Sequence, residues 1–225
     1  LSRSYPLNDG SGRRMGLRAV ACDSGGREGV TKHAYAAWRK LRDAGEGQHR
    51  RFILVKGEPS KTNPRVRTTW PDSSQKDKFA TARGDVPVVM LNSNPMKDIV
   101  YVMMQRRVAK GGEIEGGGMM RYPDWLENWF YIQLTSEIRT PKGWENTRKR
   151  RNESFDLTYY AMGIAYRPQE IGVPYVHFGL DRMDMGKPPI WFEEWDRNEF
   201  VFGDQQPVVE KKKTRSLAEI AAKLA

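Results

Sequence analysis

Cysteine is nearly absent: the 225 residues hold one, Cys22. That excludes a disulfide framework and a zinc site built on cysteines. The three histidines, His33, His49 and His177, stand at no metal-ligand spacing. Apolar runs are short. The longest, such as residues 86–91, fall far below the roughly 18 residues that cross a bilayer. No charged-then-apolar leader pattern is seen. The Gly-x-x-x-x-Gly-Lys-Ser/Thr phosphate loop is also missing, so no ATP motor is legible. Nor is there an internal repeat. An intracellular protein outside any membrane is the expectation.

Positive charge, by contrast, is in excess. Lys and Arg number 38 against 28 Asp and Glu, a formal charge of +10, with a pI near 9.7. Hydrophobic residues make up only 38% and mean hydropathy is −0.73. A polyanion neutralised by Lys and Arg is the partner such a balance suggests, nucleic acid first. A merely solvated basic surface is the plainer alternative. The length suits one domain with an extension, and it can bury a core without covalent staples.

Residues 1–16 carry little pattern and read as a flexible lead-in. One domain is expected over 17–167, and an extension over 168–225. Residues 17–22 predict a buried central strand ending at Asp23, before Ser24-Gly25-Gly26. Thr31 can cap a helix running to about Ala44. Residues 51–55 predict a second strand, and strand-helix-strand at this spacing suggests a parallel βαβ unit. Residues 58–84 read as a long loop. A third strand over 86–91 leads to a helix over 96–108, with Pro95 at its first position. Glycines over 111–118 suggest a hinge. Helices follow at 122–137 and 152–166, the second capped by Asn152, with a basic connector over 138–151 between them. Residues 168–210 show no clear period. After the basic run 211–213, residues 216–225 predict a short terminal helix.

Two acidic positions draw attention. Asp23 stands at the C-terminal end of a predicted strand, the sheet edge where open α/β folds bind ligands. It can approach a metal or a phosphate, or simply cap the next turn. Glu153 and Asp156 are three apart on a helix and share a face. Beside them lie Arg148, Lys149, Arg150 and Arg151. Carboxylates holding Mg²⁺ or Mn²⁺ next to phosphate-binding cations suit phosphodiester hydrolysis. The same acids equally suit a helix N-terminus, where the dipole favours negative charge. The polar segment Asn92 to Asp98 is open between DNA contact and capping. Asp181, Asp184, Glu193, Glu194 and Asp196 read as surface.

The order of these motifs resembles one family. The set is Ala-Cys-Asp23-Ser-Gly-Gly, Tyr35-x-x-Trp38, Val55-Lys56-Gly57, Leu91-Asn-Ser-Asn94-Pro-Met-Lys97-Asp98 and Gln133-Leu134-Thr135-Ser136-Glu137. Trp144 and Arg151-Asn152-Glu153-Ser-Phe-Asp156 complete it. Over roughly residues 15–166 it is similar to the C-terminal nuclease domain of lambda-type (GpA family) phage terminase large subunits. The 216–225 tail is similar too. The resemblance implies an α/β, RNase H-like fold, a mixed central sheet flanked by helices. It implies an endonuclease that cuts double-stranded DNA during phage genome packaging, with two Mg²⁺ or Mn²⁺ ions.

Carried over by motif, Asp23 and Asp156 are the expected catalytic metal ligands, with Glu153 as a neighbour. Lys97 and Arg148 to Arg151 are the expected DNA contacts. Implied partners are the terminase ATPase domain, the small subunit and the portal protein, in the host cytoplasm. Two departures stand out. The family's earlier acidic strand has no counterpart before Asp23, so a fragment or a strand supplied elsewhere is expected. Position 94 is Asn where the family often has Asp. The contrasting expectation is a non-catalytic DNA-binding or portal-docking module with an incomplete metal site.

Overall fold

The computed structural model describes residues 1–26, 28–71, 84–106, 120, 122–182 and 196–203. The chain divides into two compact units. The smaller contains a three-stranded antiparallel sheet. Its strands are β1 (Ser4–Pro6), β2 (Arg14–Gly16) and a last short strand, Val201–Phe202. The 1–16 segment, expected to be a flexible lead-in, is thus built into a sheet. Its turn is held by polar side chains that a hydrophobic pattern does not reveal. Asp9 accepts hydrogen bonds from Ser11 and Arg13, and Arg13 also pairs with Asp196.

The larger unit is mixed α/β. Its first strand, β3 (Val20–Asp23), leads into helix α1 (Val30–Asp43) and then β4 (Phe52–Glu58). β3 and β4 are parallel, with Asp23 opposite Val55, so the βαβ unit is present. β5 (Val66–Thr69) and β6 (Val88–Asn92) complete a four-stranded sheet in the order β3-β4-β6-β5. β6 is parallel to β4, and β5 antiparallel to β6. β3 is therefore an edge strand among the described residues, not the central one expected. Its apolar run is short, and a run alone does not tell an edge from a centre. β5 lies inside the expected 58–84 loop, where alternation is brief.

The middle strands explain the core. Ile53, Leu54, Val55, Val88, Val89 and Leu91 are all fully buried. Near-continuous apolar runs of this kind mark parallel strands covered on both faces. Helix α2 (Ser93–Gln105) starts where β6 stops, with Pro95 in its first turn. Helix α3 spans only Asn128–Leu134, shorter than the expected 122–137. Its last carbonyls are taken by hydroxyls, Thr135 on Tyr131 and Ser136 on Gln133. The expected basic connector contains a hairpin, β7 (Ile138–Thr140) with β8 (Gly143–Glu145). Strands of three residues are too short to show a period. Helix α4 (Glu153–Tyr166) matches its expected span and contacts β3, β4, β6, α2 and α3. The expected glycine hinge, the end of the 96–108 helix, residues 72–83 of the expected loop and the terminal helix lie outside the described residues.

Candidate active site

Asp23 is placed by its neighbours in sequence. The loop after β3 is pinned by Ser24, whose amide and hydroxyl both donate to the Val55 carbonyl, at 2.8 and 2.9 Å. Thr31, expected as a helix cap, instead donates its hydroxyl to the Ser24 carbonyl at 2.7 Å. Gly29 takes the cap position with φ 88°. Asp23 itself is exposed. Its Oδ1 accepts from the Gly25 amide at 2.8 Å, and among the described residues its Oδ2 meets only the Tyr160 hydroxyl, at 3.4 Å. Gly25 has reason to lack a side chain: a Cβ there would crowd Asp23 Oδ1 and the Lys56 stem.

Asp156 stands one helical turn before Tyr160 on α4, so the two share a helix face. Asp156 Oδ1 lies 2.7 Å from the Lys97 ammonium. Its Oδ2 accepts from the Asn152 amide at 3.3 Å. Lys97, on α2, also donates to both Glu137 oxygens at 2.8 Å. Asn152 reaches Glu137 as well. Lys97 is 6% exposed and Glu137 8%. The ammonium lies over the Phe155 and Tyr159 rings, 5.0 and 5.2 Å from their centroids. Burial pushes the Asp156 carboxyl above its ordinary pKa, against the opposing pull of Lys97.

The two halves are joined by the Tyr159–Tyr160 pair, whose rings sit 4.5 Å apart. Burial holds both phenols above the normal range, Tyr160 up to about 12, with Asp23 and Asp156 adding to the effect. Gly57 of β4 makes room for them, because a Cβ there would overlap the Tyr159 hydroxyl.

Among the expected site residues, Asp23 and Asp156 thus both lie near the Tyr159–Tyr160 pair. Glu153 is exposed on the first turn of α4 and makes no hydrogen bond to this cluster. Lys97, expected to contact DNA, is turned inward and held by two carboxylates. Asn152 occupies the cap position of α4, yet its amide serves Glu137 and Asp156 rather than the helix. Arg148, Lys149, Arg150 and Arg151 are all exposed. Asn146 fixes their loop: its side chain accepts from the Arg150 amide at 3.0 Å, and its carbonyl from the Lys149 amide at 3.1 Å. Lys149 has φ 49°.

Glu137 is the residue that sequence reasoning left without a role. Its one signal was its place at the end of the Gln133-Leu134-Thr135-Ser136-Glu137 motif, since periodicity does not flag it. Asn94 and Asp98 also find partners. Asn94 accepts from the Trp144 amide at 2.9 Å, and Asp98 accepts from the Trp144 indole and from Arg139. Both therefore anchor the β7–β8 hairpin to α2. Among the described residues, no group of three His, Cys, Asp or Glu is arranged to hold a metal ion. No helix of the described residues is long and apolar enough to cross a membrane.

A mixed α/β domain with an exposed Asp at the end of an edge strand, a buried Lys97–Glu137 pair joined by Asp156, and an exposed basic loop is what these residues define. The family model of the terminase large subunit gpA endonuclease domain matches residues 1–172, and the chain belongs to that family. No curated protein and no solved structure matches it.

Proposed function

We propose that this domain hydrolyses the phosphodiester backbone of double-stranded DNA during phage genome packaging, with Mg²⁺ or Mn²⁺ at Asp23, on an RNase H-like scaffold. The observation that carries the reading is an exposed carboxylate at a strand end, in a domain that also carries an exposed cationic loop before α4. Asp23 is exposed and its Oδ2 only weakly engaged, by the Tyr160 hydroxyl at 3.4 Å, and Arg148 to Arg151 immediately precede the helix that carries Asp156. The family membership supports a nuclease, and with it DNA and packaging-complex partners in general. The ATPase domain, the small subunit and the portal are the particular partners proposed.

The residues fit one ion better than two. Mg²⁺ is typically held by one or two carboxylates, with waters and substrate phosphates completing its shell. Asp23 offers such a carboxylate. Asp156 is less available: its Oδ1 is ion-paired with Lys97 at 2.7 Å, whereas Asp23 is exposed and accepts from neutral donors. A bound ion would supply Lewis acidity and a more acidic water. Asp23 would hold it. Asp156 would contribute negative charge from a fixed position, set by Lys97 and Asn152. Arg148 to Arg151 would hold the backbone through phosphates, without reading sequence.

Plasmid nicking in Mn²⁺, with EDTA as control, tests the reading. Asp23→Asn is expected to abolish nicking while DNA binding persists. Metal-independent binding with no nicking by the unaltered protein would favour the non-catalytic module instead.

A further inference from the structure

We infer that Lys97 is a built-in cation of this site, standing between Glu137 and Asp156 where a second metal ion would otherwise bind. The inference rests on the nuclease reading above and refines its metal requirement.

The geometry of Lys97 is that of a bridging ion. Its ammonium lies 2.8 Å from each Glu137 oxygen and 2.7 Å from Asp156 Oδ1. The Asn152 side-chain amide also donates to both carboxylates. A divalent ion entering between these acids must first displace an ammonium that is 6% exposed and covered by the Phe155 and Tyr159 rings. Buried charges persist in proteins where they are paired and hydrogen-bonded, and this ammonium is both.

Asp23, which is exposed and bears no ion pair with Lys97, is where the one divalent ion is received. Lys97 is then a positioning residue: it fixes Asp156 and sets how many ions the site accepts.

The test counts Mn²⁺ bound to the DNA-free full chain, by electron paramagnetic resonance of the free ion. One Mn²⁺ per chain is expected, and Asp23→Asn should remove it. Lys97→Met uncovers two carboxylates and should raise the count from one to two. Two ions on the unaltered protein, none at all, or no gain in a folded Lys97→Met variant would each overturn the inference. Should Lys97→Met not fold, a Mn²⁺-soaked crystal of the unaltered protein decides. An anomalous peak at Asp23 alone supports the inference, and a peak between Glu137 and Asp156 refutes it. Nicking is assayed in parallel. One bound ion without any nicking would refute the nuclease reading and leave the ion count intact.

Discussion

Gly163 of α4 sits against the side chain of Leu91 in β6: a Cβ on Gly163 would lie 2.5 Å from one Leu91 methyl and 2.7 Å from the other. This close approach lets the helix that carries Asp156 lie down on the sheet that carries Asp23. Two effects compete in Gly163→Ala. Alanine is better than glycine inside a helix by about 1 kcal/mol. Overpacking a filled core costs typically about 1–3 kcal/mol. Leu91 is fully buried and has nowhere to move, so overpacking wins. Gly163→Ala is expected to destabilise the domain by roughly 1 kcal/mol, read as a lower midpoint in urea. Adding Leu91→Ala should recover the helix benefit but open a cavity of its own.

What the sequence revealed and what it hid follow one physical division. The βαβ unit, the third strand and α4 were legible because buried strands and a long helix impose their patterns on consecutive residues. Asp23 was legible because it ends a short apolar run that a Ser-Gly-Gly turn follows, although β3 is a half-buried edge strand. β1, β2, β5, β7 and β8 span three or four residues each, too few for a period to emerge. The inward turn of Lys97 was hidden for another reason. It depends on Glu137, 40 residues away, and on the packing of α2 against α4. Asn152 shows the same limit: its position as a cap was readable, while the partners of its side chain were set by tertiary structure.

The basic loop gives a quantitative expectation for DNA binding. Each phosphate neutralised on duplex DNA contributes about 0.9 to the slope of log affinity against log salt. Arg148, Arg150 and Arg151 are exposed at the entry to α4. Replacing all three by Ala should flatten that slope by roughly 2 to 3 and weaken binding alike across DNA sequences. Fluorescence anisotropy over a salt series measures it. An unchanged slope would remove these residues from the DNA interface.

Lys149 allows a stability test of the same loop. Its φ of 49° is a left-handed conformation, which costs a side-chain-bearing residue roughly 1 kcal/mol or more. Lys149→Gly relieves that strain, while glycine also frees the unfolded chain. The net expectation is a change under about 0.5 kcal/mol in stability, together with a loss of about 0.9 in the salt slope if Lys149 meets a phosphate. A variant that keeps its melting midpoint and loses part of its salt dependence separates the charge from the turn.

The tyrosine pair predicts behaviour at high pH. Tyr160 titrates at about 12 in the folded protein, mainly because it is buried; an unfolded phenol titrates near 10. The folded pKa is the higher one, so this stabilising contribution is complete below pH ~10. It is lost as pH rises through about 12. Absorbance at alkaline pH should show late-ionising phenols whose titration coincides with unfolding. Tyr160→Phe should remove one of them, and the protein should then unfold at a higher pH. An early, fully reversible titration of all nine tyrosines would contradict the buried placement.

Asn152 separates a helix cap from a site residue. Serine is as good a cap as asparagine, and a working cap contributes about 1 kcal/mol. Asn152 makes no side-chain cap bond here, so Asn152→Ser stands to gain that amount. Against it stands the loss of hydrogen bonds to two carboxylates, one of them the buried Glu137. Bonds to charged groups are worth about 1.5–3 kcal/mol each. Asp156 is partly exposed, so its bond falls below that range and Glu137 supplies most of the loss. The loss outweighs the gain, and Asn152→Ser is expected to lower stability by about 1 kcal/mol. Nicking should fall by more than that loss of fold explains, since Asp156 would keep Lys97 but lose its second anchor. Measured well below the melting midpoint, a nicking rate equal to that of the unaltered protein would show that Asn152 only supports the fold.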